Sequence, residues 1–348
     1  MLSQLIRPHL FPFRSVNETL PLTERTTAHP ERIDYLDGWR GMAIALVLLD
    51  HFFSLPRVDT GRFGVDVFFV LSGMLMSNIL FVKRSSLGIF YKRRISRIIP
   101  TFLLYVMVIY LGAYIFTRHI DFVDLFATAT FIRTYYPLST GIWADSLPIG
   151  HLWSLNIEEH AYVIMSLMTL VFFFKKREWL MLVPLGLISI LIYLIFYHYP
   201  IFAPRDFELR TESQISFIML SAGYYLKRDT MKRFIRPWML PVALLGAALC
   251  YINGEGAWVY ILAPLLLVFT VNHLAQAPEV MRRLLSTRPM MMLGKWSYSL
   301  YLWQQPFYKA KGSFHIAGMP LLLALTASVA SFYLFESPIR EYLNTKWR

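Results

Sequence analysis

The chain has 348 residues, of which 56% are hydrophobic and 16% charged, and its mean hydropathy is +0.46. Soluble globular chains carry roughly 25% charged residues, so the composition excludes an ordinary soluble enzyme and points to an all-α polytopic membrane protein. A net charge of +12 would suggest nucleic acid in a soluble domain; here the cations gather in the loops on one side, and no nucleic-acid partner is expected.

Residues 1–32 are polar and proline-containing without a sustained apolar core, and are read as a cytoplasmic tail rather than a cleavable signal. Ten membrane helices are predicted at about 38–55, 63–82, 98–116, 152–174, 179–197, 213–227, 237–252, 257–274, 291–309 and 317–335. Residues 33–340 then form one membrane domain, followed by a short cytoplasmic tail at 341–348. Lysine and arginine cluster at 83–97, 175–177, 227–236 and 282–288, while the opposite side holds scattered pairs. The positive-inside rule makes both termini cytoplasmic and the helix number even. The stretch 117–151 is expected to be an interfacial or re-entrant segment on the outer side, because a full span there would break the charge parity. The single cysteine, Cys250, lies in an apolar run, which excludes an internal disulfide and argues against thiol catalysis.

The first predicted helix holds Arg40 and His51, separated by ten residues that are almost all apolar. Eleven helical steps are about three turns, so both side chains share a face and lie about 16 Å apart along the axis. Ionisable groups inside a membrane usually mark a substrate path, a proton path or a catalytic centre; the alternative is a snorkelling arginine and an interfacial histidine. The predicted directions bring Asp66 near His51 in depth and carry His151, Glu158, Glu159 and His160 toward the same layer. On the cytoplasmic side Arg93, Arg94 and Arg97 enter the third helix, suited to an anionic phosphate ligand and equally to lipid headgroups. A basic entrance with an imidazole beyond it suits a coenzyme donor. It also suits a proton-coupled transporter or flippase, in which His51 and Glu158 would be relay groups.

Several motifs together resemble the acyltransferase-3 family of integral membrane acyltransferases. They are TyrLeuAspGlyTrpArgGlyMetAla from Tyr35 with His51 beyond it, PheGlyValAspValPhePheValLeuSerGly from Phe63, and ArgArgIleSerArgIleIlePro from Arg93. HisLeuTrpSerLeuAsnIleGluGlu from His151, SerTyrSerLeuTyrLeuTrp from Ser297 and PheGluSerPro from Phe335 complete the series in order. The resemblance implies a bundle of about ten helices in a bacterial plasma membrane. It would move an acyl group, usually acetyl, from acyl-coenzyme A to a hydroxyl on a surface glycan or lipid-linked sugar.

By the same resemblance His51 is the catalytic residue, Arg40 is essential beside it, and Arg94 and Arg97, with Arg93, grip the coenzyme phosphates. Glu158 or Asp66 is expected to orient the imidazole, and Tyr298 is a candidate oxyanion donor. His151, Trp153, Tyr298 and Gln304 are candidate substrate contacts, and no metal is expected. The sequence departs from the family at Gln304, where a histidine is usual, and at Asn156 and His160 in the fourth-helix motif. Glutamine hydrogen-bonds but does not titrate, so any acid–base role at that position is absent or has moved. Only eight residues follow Arg340, so the acceptor is expected to meet the membrane domain directly or through a separate protein.

Overall fold

The computed structural model describes residues 34–53, 55–137, 141–143, 147–171, 176–252, 257–316 and 318–347; the predicted N-terminal tail lies outside them. Among the described residues no strand forms, and one antiparallel bridge joins Val58 to Ile252. Helices α1 (Asp34–Phe53), α2 (Thr60–Ser77), α3 (Leu87–Thr117), α4 (Phe122–Ala129), α5 (Leu152–Met168) and α6 (Trp179–His198) come first. Next come α7 (Thr211–Gln214), α8 (Ser216–Tyr225), α9 (Arg228–Met231), α10 (Met239–Leu249) and α11 (Trp258–Asn272). The chain closes with α12 (Glu279–Leu285), α13 (Arg288–Lys309), α14 (Met319–Ser331) and α15 (Ser337–Lys346).

Among the described residues, helix is found within each of the ten predicted segments, though not over the full length of each. Four helical runs are long and apolar enough to cross a membrane on their own: Thr60–Val82, Leu87–Phe116, Trp179–His198 and Met319–Lys346. This is a multi-pass membrane protein. Helices α1 and α13 are not among the four, because they carry charged and polar residues along their length. Helix α4 has eight residues, about 12 Å of rise, too short to cross; the rest of 117–151 is described only in part.

Lipid tails are as apolar as leucine, so close backbone approach and interhelical hydrogen bonds bind such helices to one another. Helices α1 and α13 meet at glycines. A Cβ on Gly294 would sit 1.8 Å from the Asp37 carbonyl oxygen, and one on Gly41 2.0 Å from that of Met290. This backbone contact turns Arg40 and the Ser297–Tyr301 stretch toward the same space. Elsewhere Ser77 donates to the Ala222 carbonyl at 2.8 Å, and Ser221 to that of Val70 at 2.6 Å, joining α2 to α8. Asn272 of α11 reaches Ser221 at 3.1 Å.

Two features depart from the sequence-based expectation. Helix α3 begins at Leu87, capped by Ser86, and not near residue 98, so the double-arginine motif lies inside the helix. Its cations act through side chains alone, with no free helix-end amides beside them. Helices α2 and α14 each run on into a π-helical turn, Asn78–Val82 and Phe332–Glu336. The second turn directs the buried Glu336 carboxylate onto the Ser299 hydroxyl, which donates at 2.6 Å.

Candidate active site

A cavity of about 100 Å³ opens among α1, α2, α3, α5 and α13. Arg40, Arg94 and Arg97 line it, with Glu158, Ser72, Tyr162 and Tyr298 opposite. Arg94 is held hard: its guanidinium lies 3.6 Å over the Tyr162 ring, 2.8 Å from a Glu159 oxygen and 3.6 Å from Glu158. Glu158 in turn accepts from the Ser72 and Tyr162 hydroxyls. Arg40 pairs with Asp37 at 3.1 Å. Arg97 differs from both: among the described residues no carboxylate lies within ion-pair distance of it, and its charged neighbours are Arg40, Arg94 and Arg340 with the more distant carboxylate of Glu336. Arg93 is exposed and joins Arg94 and Arg97 on an adjoining pocket. Like charges facing a shared cavity raise the energy of the empty state and lower that of an anion-filled one.

The other end of α1 carries His51. Its Nδ1 lies 2.5 Å from Gln304 Oε1, which can only accept, so Nδ1 holds the proton and Nε2 the lone pair. The ring stacks on Tyr308 at 4.3 Å between centroids and 16° between planes. The Lys311 ammonium donates to the His51 carbonyl at 2.9 Å. His151, 2% exposed, sits between Tyr105 and Tyr301, and among the described residues neither of its ring nitrogens has a hydrogen-bond partner. Tyr301 links the two levels: it lines the cavity, shares a hydrogen bond with Ser154 and donates to the His151 carbonyl at 2.6 Å.

The structure corrects four expectations. Neither Glu158 nor Asp66 orients His51, because Gln304 occupies that position. Glu158 and Glu159 belong to the arginine level and not to the His51 level; seven residues of α5 carry Glu158 about 10 Å beyond His151. Tyr298 has no hydroxyl proton to offer an oxyanion, since it donates to the Ile98 carbonyl at 2.9 Å. Trp153 is 5% exposed and packs beneath the Arg62 guanidinium, 4.9 Å away, and edge-on to Phe69.

Asp66 is fully buried, 3.0 Å from Arg62 Nε, and accepts from the Tyr251 hydroxyl at 2.7 Å. Removing one partner of a buried ion pair costs about 3–5 kcal/mol, whereas replacing both with apolar groups is often neutral. Asp66→Leu is therefore expected to lower the Tm of the solubilised protein markedly, and the added change Arg62→Met to restore it. A single variant with unchanged Tm would show that this pair does not hold the bundle together.

Residues absent from the sequence-based site are Ser72, Tyr162, Tyr301 and Tyr308. Three had a signal in the sequence. Tyr162 comes four residues after Glu158 and Tyr308 four after Gln304, the spacing of helix-face neighbours, and Tyr301 lies inside the SerTyrSerLeuTyrLeuTrp motif. Ser72 stood in a motif too, but only the crossing of α2 with α5 brings it to Glu158.

The family described as acyltransferase domain matches residues 33–335. The chain is similar to O-acetyltransferase OatA of Staphylococcus aureus (strain NCTC 8325 / PS 47), 26% identical over 90% of this chain and 58% of that protein. It is also similar to putative O-acetyltransferase SACOL0978 of Staphylococcus aureus (strain COL), 24% identical over 88% of this chain and 57% of that protein. The chain thus spans under two thirds of the length of these relatives. No solved structure matches. The family match runs over residues 33–335, most of the chain, and the chain belongs to the acyltransferase-3 family.

Proposed function

We propose that the protein is a membrane-embedded O-acyltransferase of the bacterial plasma membrane. It moves an acyl group, acetyl in the first instance, from cytoplasmic acyl-coenzyme A to a hydroxyl of a cell-surface glycan or its lipid-linked precursor. The observation that carries this reading is Arg97, a cation without a carboxylate partner among the described residues, on a cavity that Arg40 and Arg94 also line. A polyphosphate supplies the missing countercharge, and guanidinium groups bind phosphate oxygens in bidentate fashion. Ten membrane spans with both termini cytoplasmic put this cavity on the coenzyme's side. The start of α1 and the Arg94–Arg97 part of α3 then lie inside, and His51 lies toward the outer half.

About 16 Å of helix separates Arg40 from His51, a separation that suits a donor whose phosphates and thioester sit at opposite ends of a flexible arm. His51 Nε2 takes the proton of the acceptor hydroxyl as its oxygen attacks the thioester carbonyl carbon. The C–S bond then breaks, and the sulfur leaves with the proton returned from the imidazolium. General-base help of this kind is worth roughly 10²–10⁴ in rate. Gln304 holds the tautomer that exposes Nε2 throughout. Being neutral, it adds no charge to stabilise the imidazolium.

The test uses the full chain in lipid nanodiscs with acetyl-coenzyme A. Saturable binding and then thiol release in the presence of acceptor glycan is the expected result. Folded protein that moves a sugar across a vesicle membrane without binding the coenzyme would overturn the proposal in favour of a transporter.

A further inference from the structure

Helix α13 holds two imidazoles on neighbouring turns. Gln304 meets His51, and Tyr301, three residues earlier, packs its ring on His151 at 5.2 Å between centroids. Residues three apart on a helix have Cβ atoms about 5–6 Å from one another, and the Gln304 amide donates back to the Tyr301 carbonyl at 3.4 Å. The titratable neighbours of His151 are His51 and the Lys309 ammonium; among the described residues no carboxylate lies within ion-pair distance of it.

The two tyrosines that flank His151 have already placed their protons. Tyr105 donates to the Pro148 carbonyl, and Tyr301 to the carbonyl of His151 itself. The imidazole nitrogens stay unpartnered among the described residues. A buried donor without an acceptor costs desolvation energy with no bond in return, and such a group in a folded protein calls for a reason. Packing alone does not supply one, since a phenylalanine would fill the space between the rings without that cost.

An acyl arm running from the arginines to His51 passes this point. Ser154 and Tyr301 line the arginine cavity, and both reach the His151 carbonyl, at 3.4 Å and 2.6 Å. Attack on the thioester puts negative charge on its carbonyl oxygen, and Tyr298 has no proton to give that oxygen. We propose that His151 is the oxyanion donor, its ring N–H binding the acyl carbonyl oxygen beside His51. This deepens, and rests on, the acyltransferase reading above. As the acceptor oxygen bonds to the carbonyl carbon, the C=O π pair moves onto oxygen and is held by the His151 N–H. That pair returns as the C–S bond breaks, and the sulfur takes the proton from His51, so His151 keeps its own proton throughout. A neutral imidazole carries one N–H and one lone pair, and neutral imidazoles polarise carbonyls in this way. Nothing beside His151 compensates an imidazolium, so it acts as a donor and not as an acid.

The acyl carbonyl is its own reporter. The full chain in nanodiscs is loaded with acetyl-coenzyme A, and isotope-edited infrared difference spectra give the stretching frequency of the bound thioester carbonyl. A lower frequency than that of free acetyl-coenzyme A is expected. The shift should vanish in His151→Phe, persist in His51→Ala and survive in His151→Gln, whose amide also donates. Thiol release by His151→Phe should fall about 10²–10³-fold, the effect of removing one oxyanion donor. Its Tm should hold or rise, because the ring space stays filled and the unsatisfied donor is gone; a packing role alone would lower Tm and leave the carbonyl frequency where it was. His151→Leu serves if the phenylalanine variant does not fold. An unshifted carbonyl in the wild type, or one frequency shared by the wild type and the donor-less variant, would overturn the proposal and leave the acyltransferase reading standing. Folded wild type that binds no acetyl-coenzyme A would overturn that reading, and the proposal with it.

Discussion

His51→Ala in nanodiscs is expected to bind acetyl-coenzyme A as the wild type does and to lose transfer by about 10²–10⁴-fold, the contribution of a positioned general base. The two properties separate because the arginine cavity and the imidazole occupy different levels of the bundle, joined through α1 and Tyr301. The ring stacks on Tyr308 and meets Gln304 without pairing with a buried charge, so insertion and Tm should change little. Gln304 supplies the companion test. Gln304→Leu keeps the volume but removes the acceptor for the Nδ1 proton, which frees the ring to adopt the tautomer with its lone pair on the wrong nitrogen. A fall in kcat with KM for the donor unchanged is expected. Transfer by His51→Ala at near the wild-type rate would remove the histidine from the mechanism altogether.

Arg97→Ala should weaken donor binding without weakening the fold. Losing a charge-assisted hydrogen bond to phosphate costs about 2 kcal/mol, roughly thirtyfold in affinity. Arg97 has no carboxylate partner among the described residues and faces Arg40 and Arg94. Its removal relieves repulsion in the empty protein, so Tm should hold or rise. Arg94 is the informative contrast. Its loss strands Glu158 and Glu159 within the bundle, so a drop in Tm should accompany any drop in binding. Calorimetric titration with coenzyme A, alongside thermal unfolding of both variants, separates the cases. Unchanged affinity in Arg97→Ala would return the cluster to an orienting role at the membrane surface.

Much of the site is legible one motif at a time. The Arg40–His51 pair needs only the rise of a helix, and the arginines at 94 and 97 need only its periodicity. Partners assigned by depth fare worse. Glu158 and Asp66 are plausible neighbours of His51 because each is a carboxylate on a helix that starts at the same end. Depth along an axis says nothing of rotation about it: Asp66 turns to Arg62 and Tyr251, and Glu158 lies two turns further along, beside Arg94.

Whatever depends on neighbours in the chain can be read from the order of residues. This covers helical character, the apolar runs that demand a membrane, the family motifs and the spacing of polar groups within each helix. All of it rests on backbone hydrogen bonding and side-chain periodicity, which act over a few residues. Which polar groups meet is settled by tertiary packing alone. His51 finds Gln304 across 253 residues, and Ser72 finds Glu158 across 86. Those meetings depend on where helices cross. The crossings are set by backbones touching at Gly41 and Gly294 and by π-helical turns that rotate the residues beyond them. In surroundings as apolar as the helices themselves, hydrophobicity cannot choose the partners. Close packing and paired polar groups choose them, and these exist only once the bundle has formed.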